Sequence, residues 1–250
     1  MSFNQPAFSI ITATYNSEST ISDTMDSLLS QNFDNFEVLI IDGLSTDKTI
    51  EIIKSYNDPR INIFSEIDKG IYDALNKGIT RSAGDIIGFL HSDDTLTNNN
   101  VLSDIFKSFD SKFDGVYGDL NYVSADNNKN IIRNWVSESF KPKMLKKGWM
   151  PPHPTLFLNS NVYKKHGNFK IEYHVSSDYD FILRIFKDQD LSFQYLNKKL
   201  VNMKIGGRSN KSLNNIIIKL IEDYQIIKSN GIGNFGTLLS KNITKINQFI

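Results

Sequence analysis

The sequence contains no cysteine, which excludes disulfides and thiolate metal sites and fits a reducing compartment. Glycine is scarce where nucleotide-binding proteins concentrate it. The first strand-like run is followed by Ala13-Thr14-Tyr15-Asn16-Ser17, so a dinucleotide fingerprint is absent, and no Gly-Lys-Ser or Gly-Lys-Thr occurs, so a P-loop is absent too. No apolar run approaches the ~20 residues that a membrane span requires. Neither sign of charge is in excess, with 28 Lys plus Arg against 28 Asp plus Glu, and no global field invites nucleic acid as a partner. Met1 to Ile10 has neither a basic n-region nor an apolar h-region, so no secretory signal is expected and the expected location is cytoplasmic. What remains is 250 residues, 40% hydrophobic and 22% charged. That is enough for one full core, expected over residues 1–205, with a C-terminal appendage over 206–250.

The first half alternates strand and helix patterns. Phe8 to Thr12, Phe36 to Ile41, Ile61 to Phe64 and Asp85 to Leu90 read as strands. Between them, Ile21, Met25, Leu28 and Leu29 recur at helical spacing, Asp47 stands near a second helix start, and Gly70 to Ile79 reads as a third helix. Such alternation predicts an α/β fold with a mostly parallel sheet and right-handed crossovers. The second half is less regular. Val116 to Val123 and Ile131 to Val136 read as a hairpin around Ala125-Asp126-Asn127-Asn128. Pro151-Pro152-His153-Pro154 predicts an extended segment. Ser177 to Lys187 predicts a helix, Leu191 to Leu196 and Leu200 to Met203 two further strands, and Gly206 to Asn210 a loop that serves either as a lid or as a connection. Leu213 to Ile227 is an amphipathic helix whose apolar residues at 213, 217, 220, 224 and 227 are expected to pack on the domain. Docking of that stripe at a membrane face is the lesser reading, because its basic charge is thin.

The strand from Asp85 ends in two adjacent carboxylates, Asp93 and Asp94, and the second strand ends in Asp42. Ligands of open α/β sheets bind beyond the carboxyl ends of the strands. Carboxylates there can hold a divalent cation, with water or phosphate oxygens completing its shell. The Asp-Asp pair would equally cap a following helix. The lack of a glycine cradle for phosphate favours the metal reading, with residues 1–95 as the nucleotide-binding half and 96–205 as the acceptor side. In Ser177-Asp178-Tyr179-Asp180, Asp180 precedes Arg184 by four and reads as a helix-surface ion pair. Asp178 shares a face with Ile182 and Ile185 and suits either a helix cap or a general base. His153 among its prolines is read as structural, with acceptor contact as the alternative.

Taken in order, these stretches resemble family 2 glycosyltransferases of the GT-A fold. The similarity is carried by Ser9-Ile10-Ile11-Thr12-Ala13-Thr14-Tyr15-Asn16, Leu29-Ser30-Gln31-Asn32-Phe33, Phe36-Glu37-Val38 and Ile41-Asp42-Gly43-Leu44-Ser45-Thr46-Asp47-Lys48-Thr49. Glu66-Ile67-Asp68-Lys69-Gly70-Ile71-Tyr72-Asp73-Ala74-Leu75-Asn76-Lys77-Gly78, Phe89-Leu90-His91-Ser92-Asp93-Asp94 and Ser177-Asp178-Tyr179-Asp180 complete it. The form of the Glu66 to Gly78 block is similar to enzymes that build bacterial surface polysaccharides such as colanic acid and O-antigen. The resemblance implies a nucleotide site of Thr12, Ala13, Tyr15, Asp42 and Asp93, with Lys69 near phosphate. It implies manganese or magnesium at Asp94 and a catalytic base at Asp178. The implied reaction is inverting transfer from a nucleotide-diphosphate sugar, expected to be a UDP-sugar, to a growing, lipid-linked glycan. Homodimerisation and peripheral contact with the inner membrane face stay open. Two departures stand out: Gly43 occupies a place where many relatives carry a second acid, and Ser177 one where many carry Glu. A sugar nucleotidyltransferase would need a glycine-rich basic loop after the first strand, which is missing. A catalytically silent sugar-nucleotide-binding protein of the same fold is the remaining alternative.

Overall fold

The structure, a computed structural model, describes residues 5–109, 112–125, 130–205 and 213–246. The expected turn at 126–128 and the expected loop Gly206 to Asn210 lie outside the described residues. Strand and helix alternate as β1 (Phe8–Thr14), α1 (Ile21–Leu29), β2 (Phe36–Asp42), α2 (Thr49–Ser55), β3 (Ile61–Ser65), α3 (Ile71–Arg81) and β4 (Ile86–Phe89). β3, β2, β1 and β4 lie side by side and parallel, with Thr14 in register with Asp42 and Ile11 with Phe89. Both faces of β1 and β2 are covered, which is why Val38 to Ile41 of β2 reads as an apolar run. Val38 and Ile40 join Met25 and Leu28 of α1 in one core cluster, while Leu39 and Ile41 join Ala74 and Leu75 of α3 in the other. α3 lies tight under β1: a Cβ on Gly78 would come within 2.4 Å of Ile11 Cγ2.

The chain continues through β5 (Thr95–Leu96), α4 (Val101–Ser108), β6 (Gly115–Val123), β7 (Ile131–Trp135), β8 (Phe157–Asn159), α5 (Ser160–His166), α6 (Ser177–Phe186), β9 (Phe193–Lys204), α7 (Leu213–Ser229) and α8 (Phe235–Ile246). The sheet order is β3-β2-β1-β4-β8-β6-β9-β5, with β7 beside β6. β8 runs antiparallel to both β4 and β6, and β9 parallel to β6. The result is a mixed α/β sheet whose first four strands, all within residues 8–89, form its parallel part. β9 brings its end, Lys204, back to the carboxyl ends of the parallel strands.

Four sequence expectations change. The two strands foreseen between Leu191 and Met203 are one, β9; the polar run Asn197-Lys198-Lys199 disguises its continuity, and register shifts around Asp119 of β6 absorb the irregularity. The Pro151 to Pro154 segment is extended only to Pro152, then closes into a 3-10 turn over His153–Thr155, in which Thr155 donates to the Pro152 carbonyl from both its backbone N (3.0 Å) and Oγ1 (2.8 Å). Ile217, Leu220 and Tyr224 of α7 are exposed; the face of α7 that packs carries Glu222, Asp223, Ile226 and Ile227. Finally, the Asp180–Arg184 pair is not on the surface. Asp180 is fully buried, with Arg184 Nε 2.8 Å from Oδ2, and with Lys170 Nζ at 3.3 Å and Asn230 Nδ2 at 3.0 Å from Oδ1.

Asp180 therefore ties α6 to the segment before it and to the end of α7. Replacing it by alanine leaves the Arg184 guanidinium uncompensated in the interior, and Asp180→Ala is expected to lower stability by about 3–5 kcal/mol. Urea unfolding of the variant measures this, and a loss under about 1 kcal/mol would show that the pair contributes no more than a surface one.

Candidate active site

Three loops at the carboxyl ends of β1, β2 and β4 are stitched to one another by short polar side chains. Asn16, at φ 51°, accepts from the Thr46 backbone N at 2.8 Å through Oδ1, and its own N donates to Ser45 Oγ at 2.9 Å. Asparagine tolerates this left-handed backbone because its short amide bonds locally. Ser17 N donates to Thr49 Oγ1 at 2.7 Å, and Ser17 Oγ lies 2.9 Å from Ser92 Oγ. Asp42 is the hub beneath. It is buried and turned inward, accepting from Ser45 Oγ and from Ser65 Oγ of β3, each at 2.5 Å, and from the Ser45 backbone N at 3.2 Å. Thr12 is buried in β1 with its hydroxyl unpartnered, and Ala13 is half-buried. The surface of this end is formed by Tyr15, 47% exposed, by Gly43, and by Asp68 and Lys69 ahead of α3. A Cβ on Gly43 would lie 2.6 Å from Asp68 Oδ2 and 3.5 Å from the Tyr15 ring. The room that a side chain at 43 would take is thus filled by the Asp68 carboxylate, whose other oxygen accepts from Gly70 N at 2.8 Å. Lys77 is turned away from this surface, bonded to the Ile67 carbonyl and 3.4 Å from Asp73.

Asp93 and Asp94 cap no helix, because the turn 91–94 leads into β5 and α4 begins at Val101 behind Asn100. Asp93 is half-buried. Asp94 is 1% exposed, accepts from Lys204 N at 3.2 Å through Oδ1, and has no partner for Oδ2. Burial and the neighbouring Asp93 charge push its carboxyl well above the usual carboxylate range, against the opposing pull of Lys204. A buried carboxylate oxygen with a bare lone pair, beside a second acid, fits a hard divalent cation. Among the described residues no group of three or more His, Asp or Glu could hold an ion by protein ligands alone. The donor set therefore fits a cation that shares its shell with phosphate and water oxygens, as magnesium-type sites do.

Asp178 stands in the first turn of α6, half-buried. The Tyr72 hydroxyl, from the head of α3, lies 2.8 Å from the Val175 carbonyl and 3.2 Å from Asp178 Oδ1, and its single proton serves one at a time. Burial and the Asp178 charge raise this phenol well above its ordinary value. The residues leading into α6 are braced by Glu222 of α7, whose carboxylate accepts from the backbone N of His174 (2.7 Å), Val175 (3.0 Å) and Ser176 (2.9 Å). Ser177 is buried and donates to the Lys170 carbonyl at 2.7 Å. Carboxylate support for this segment thus comes from α7 and not from position 177.

Tyr122 and His91 each feel charge from both acidic ends. The Tyr122 phenol is raised by burial and by the charges of both Asp94 and Asp178, against the Arg133 guanidinium 4.7 Å above its ring. The half-buried His91 imidazole is lowered by desolvation, partly offset by Asp93 and Asp178. His153 sits behind them, 8% exposed and stacked on Phe89 at 5.3 Å, with both ring nitrogens unpartnered. Asp94 and Asp178 both act on Tyr122, and Asp93 and Asp178 both act on His91; Tyr15 and Asp68 meet around Gly43, with Lys69 next in the chain, while Thr12 and Asp42 are buried. Tyr72, Tyr122, Asp68 and Glu222 escaped the sequence reading. Asp68 and Tyr72 lay inside the Glu66 to Gly78 block without a role, and Glu222-Asp223 are the only acids of α7.

The family model described as Glycosyl transferase family 2 matches residues 9–182. A PGL/p-HBAD biosynthesis glycosyltransferase of Mycobacterium bovis (strain BCG / Pasteur 1173P2) is 28% identical over 220 residues, 86% of this chain and 83% of that protein. An uncharacterized glycosyltransferase of Haemophilus influenzae is 39% identical over 101 residues, 39% of this chain and 40% of that protein. The fold is similar to that of S. aureus TarS 1-349 in complex with UDP-GlcNAc, at TM-score 0.71 and 20% identity over 90% of this chain and 65% of that one. It is also similar to the mannosyltransferase PcManGT from Pyrobaculum calidifontis in complex with GDP-Man and Mn2+, at TM-score 0.66 and 16% identity over 90% of this chain. This chain spans 64% of that second solved chain.

Burial lowers the His153 imidazole from 6.5 to about 4. The folded state then binds fewer protons than the unfolded chain between those values, so stability is full above pH 6.5 and falls as the pH drops through about 4. At 1.36 kcal/mol for each unit, the contribution lost on acidification is about 3 kcal/mol. His153→Phe keeps the stack on Phe89 and removes the titration. Urea midpoints measured from pH 7 to 4 are expected to fall less steeply in the variant, and equal slopes would refute a buried neutral His153.

Proposed function

The chain belongs to glycosyl transferase family 2, and from that premise we propose that it is a metal-dependent, inverting enzyme. Its donor is a nucleotide-diphosphate sugar, most simply a UDP-sugar. Its acceptor is a hydroxyl of a growing, lipid-linked bacterial surface glycan. The observation that carries this reading is Asp94, buried beside Asp93 after the last of the parallel strands, with one carboxylate oxygen bare. Relatives support the donor class: TarS is described with UDP-GlcNAc and with UDP, PcManGT with GDP-Man and Mn2+. The mycobacterial relative, described by PGL/p-HBAD biosynthesis, supports a surface-glycan setting for the acceptor. The cysteine-free composition supports a cytoplasmic one.

Residues 1–205 form the catalytic unit, with the donor held by the first 95 and the acceptor by the remainder. Tyr15, with its exposed ring, and Ala13 lie against the base, and Asp42 holds the 43–46 turn beneath it together with the buried end of β1 at Thr12. Asp68 supplies the acidic group that Gly43 lacks, so base recognition falls to the loop before α3. Asp93 faces the ribose, and Lys69 lies toward phosphate. Asp94 would hold manganese or magnesium, which when bound neutralises charge on the leaving diphosphate. Asp178 takes the proton of the acceptor hydroxyl as that oxygen attacks the anomeric carbon from the face opposite the nucleotide. The proton lands on the Asp178 carboxylate, and the bond to the diphosphate oxygen breaks as the new glycosidic bond forms. Tyr72 and Glu222 fix where Asp178 stands.

Calorimetric titration with UDP, GDP, dTDP and CMP, each with and without manganese, tests the donor site. Manganese-dependent binding of one nucleotide is expected in the wild type and its loss in Asp94→Ala. Asp178→Asn is expected to bind that nucleotide normally while transfer falls about 100-fold or more. Asp68→Ala is expected to weaken the nucleotide by about 1 kcal/mol, the worth of one hydrogen bond. A folded wild type that binds none of the four would sink the donor assignment and leave a silent protein of the same fold. Transfer surviving in Asp178→Asn would remove that residue as the base.

A further inference from the structure

A phenol packed into a protein ordinarily finds a hydrogen-bond partner for its hydroxyl. On β6 the Tyr117 hydroxyl donates to the Glu138 carbonyl at 2.7 Å, and on the adjacent β9 the Tyr195 hydroxyl donates to Asp119 Oδ1 at 2.9 Å. Tyr122, near the end of β6, departs from this pattern. Its ring is packed on the hairpin: it stands opposite Arg133 in the β6–β7 register, with the guanidinium carbon 4.7 Å above the ring centre, and it lies parallel to the Trp135 ring at 6.5 Å. The Tyr122 hydroxyl nevertheless has no hydrogen-bond partner among the described residues, and it is not sealed from solvent. The ring is held in place while its polar tip is left open.

The sheet register places that tip beside the candidate site. Tyr122 pairs with Met203 of β9, and the next residue, Lys204, gives its backbone N to Asp94 Oδ1 at 3.2 Å. Burial and the charges of Asp94 and Asp178 raise the phenol, against the pull of Arg133, so it keeps its proton at neutral pH and can donate. With the diphosphate at Asp94 and the acceptor hydroxyl at Asp178, as proposed, a single displacement sets the anomeric carbon between the leaving and attacking oxygens. The sugar in transit then lies between these two acids, whose charges both reach Tyr122. Resting on that reading, we propose that the Tyr122 hydroxyl donates to a hydroxyl oxygen of the transferred sugar and selects among donors by where that oxygen lies. A ring already held between Arg133 and Trp135 gives up little freedom when it makes this bond. A site built to bond a substrate hydroxyl rejects analogues that lack it or carry it elsewhere. The contact belongs to the sugar, so it adds nothing to the binding of a bare nucleotide.

Calorimetric titration of wild type and Tyr122→Phe, with manganese present, tests it. The probes are UDP, dTDP and GDP alone, then UDP-glucose, UDP-galactose, UDP-N-acetylglucosamine, dTDP-rhamnose and GDP-mannose. Phenylalanine keeps the ring beneath Arg133 and removes only a hydroxyl that bonds no described residue, so the variant is expected to melt as the wild type does. It is expected to bind the bare nucleotide unchanged and the preferred sugar nucleotide about fivefold to tenfold more weakly, the effect of one hydrogen bond. Equal weakening of nucleotide and sugar nucleotide moves the contact off the sugar and overturns the proposal. Unchanged affinity in the variant, or a wild type that binds a nucleotide but none of the sugar forms, overturns it as well. A wild type that binds none of the three diphosphates removes the donor class itself, and the proposal with it, so the two failures are told apart by the wild-type titration.

Discussion

A carboxylate buried to 1% exposure, with one oxygen unpartnered and another acid beside it, is an expensive thing for a folded chain to keep. Asp94 is that group, and the architecture around it exists to hold it in place. β1 and β4 are parallel neighbours, so the chain leaves both at the same end of the sheet. Thr24 of α1 donates to the Asp94 carbonyl at 2.8 Å, and Lys204 at the end of β9 donates its backbone N to Oδ1. The loop is fixed from two directions, which leaves the second oxygen without a protein partner. Desolvation raises the cost of a charge there and strengthens its attraction to a counter-charge.

The head of α6 follows a different principle. Asp178 owes its position to its surroundings more than to its own helix. Tyr72 approaches from α3 and Glu222 from α7, and three backbone N–H groups before α6 are satisfied by one carboxylate. Because Glu222 faces inward, the opposite side of α7 is left apolar and open, so one helix both braces the segment ahead of Asp178 and carries exposed apolar residues outside. The Asp180 cluster with Arg184, Lys170 and Asn230 holds α6 and α7 together from the other end.

Much of this was legible in the chain. The parallel strands announced themselves as apolar runs between helical periodicities, and Asp93-Asp94 stood out because it ends such a run. Orientation was harder to read. Asp42 was visible as an acid at a strand end, but only the neighbouring Ser65 of β3 and the turn at Ser45 explain why its carboxylate faces inward. Gly43 stood out as a place where many relatives carry a second acid, and Asp68, from the loop after a different strand, fills that space. On α7, periodicity pointed to an apolar stripe as the packed face. It failed because Glu222 and Asp223 meet partners brought from elsewhere, and their burial rotates the helix so that much of the stripe faces out.

The sequence by itself determined which segments are strands and helices in the first half, which strand ends carry acids, and the family. Those properties depend on residues within a few positions of one another, where periodicity and strand-end chemistry act directly. Tertiary structure alone decided which acids face the crevice, which are consumed as internal acceptors, and which helix face meets solvent. These depend on partners far apart in the chain, as Ser176 and Glu222 are at 46 residues. A buried carboxylate takes whatever donors the fold brings within reach, and no local pattern records which they will be.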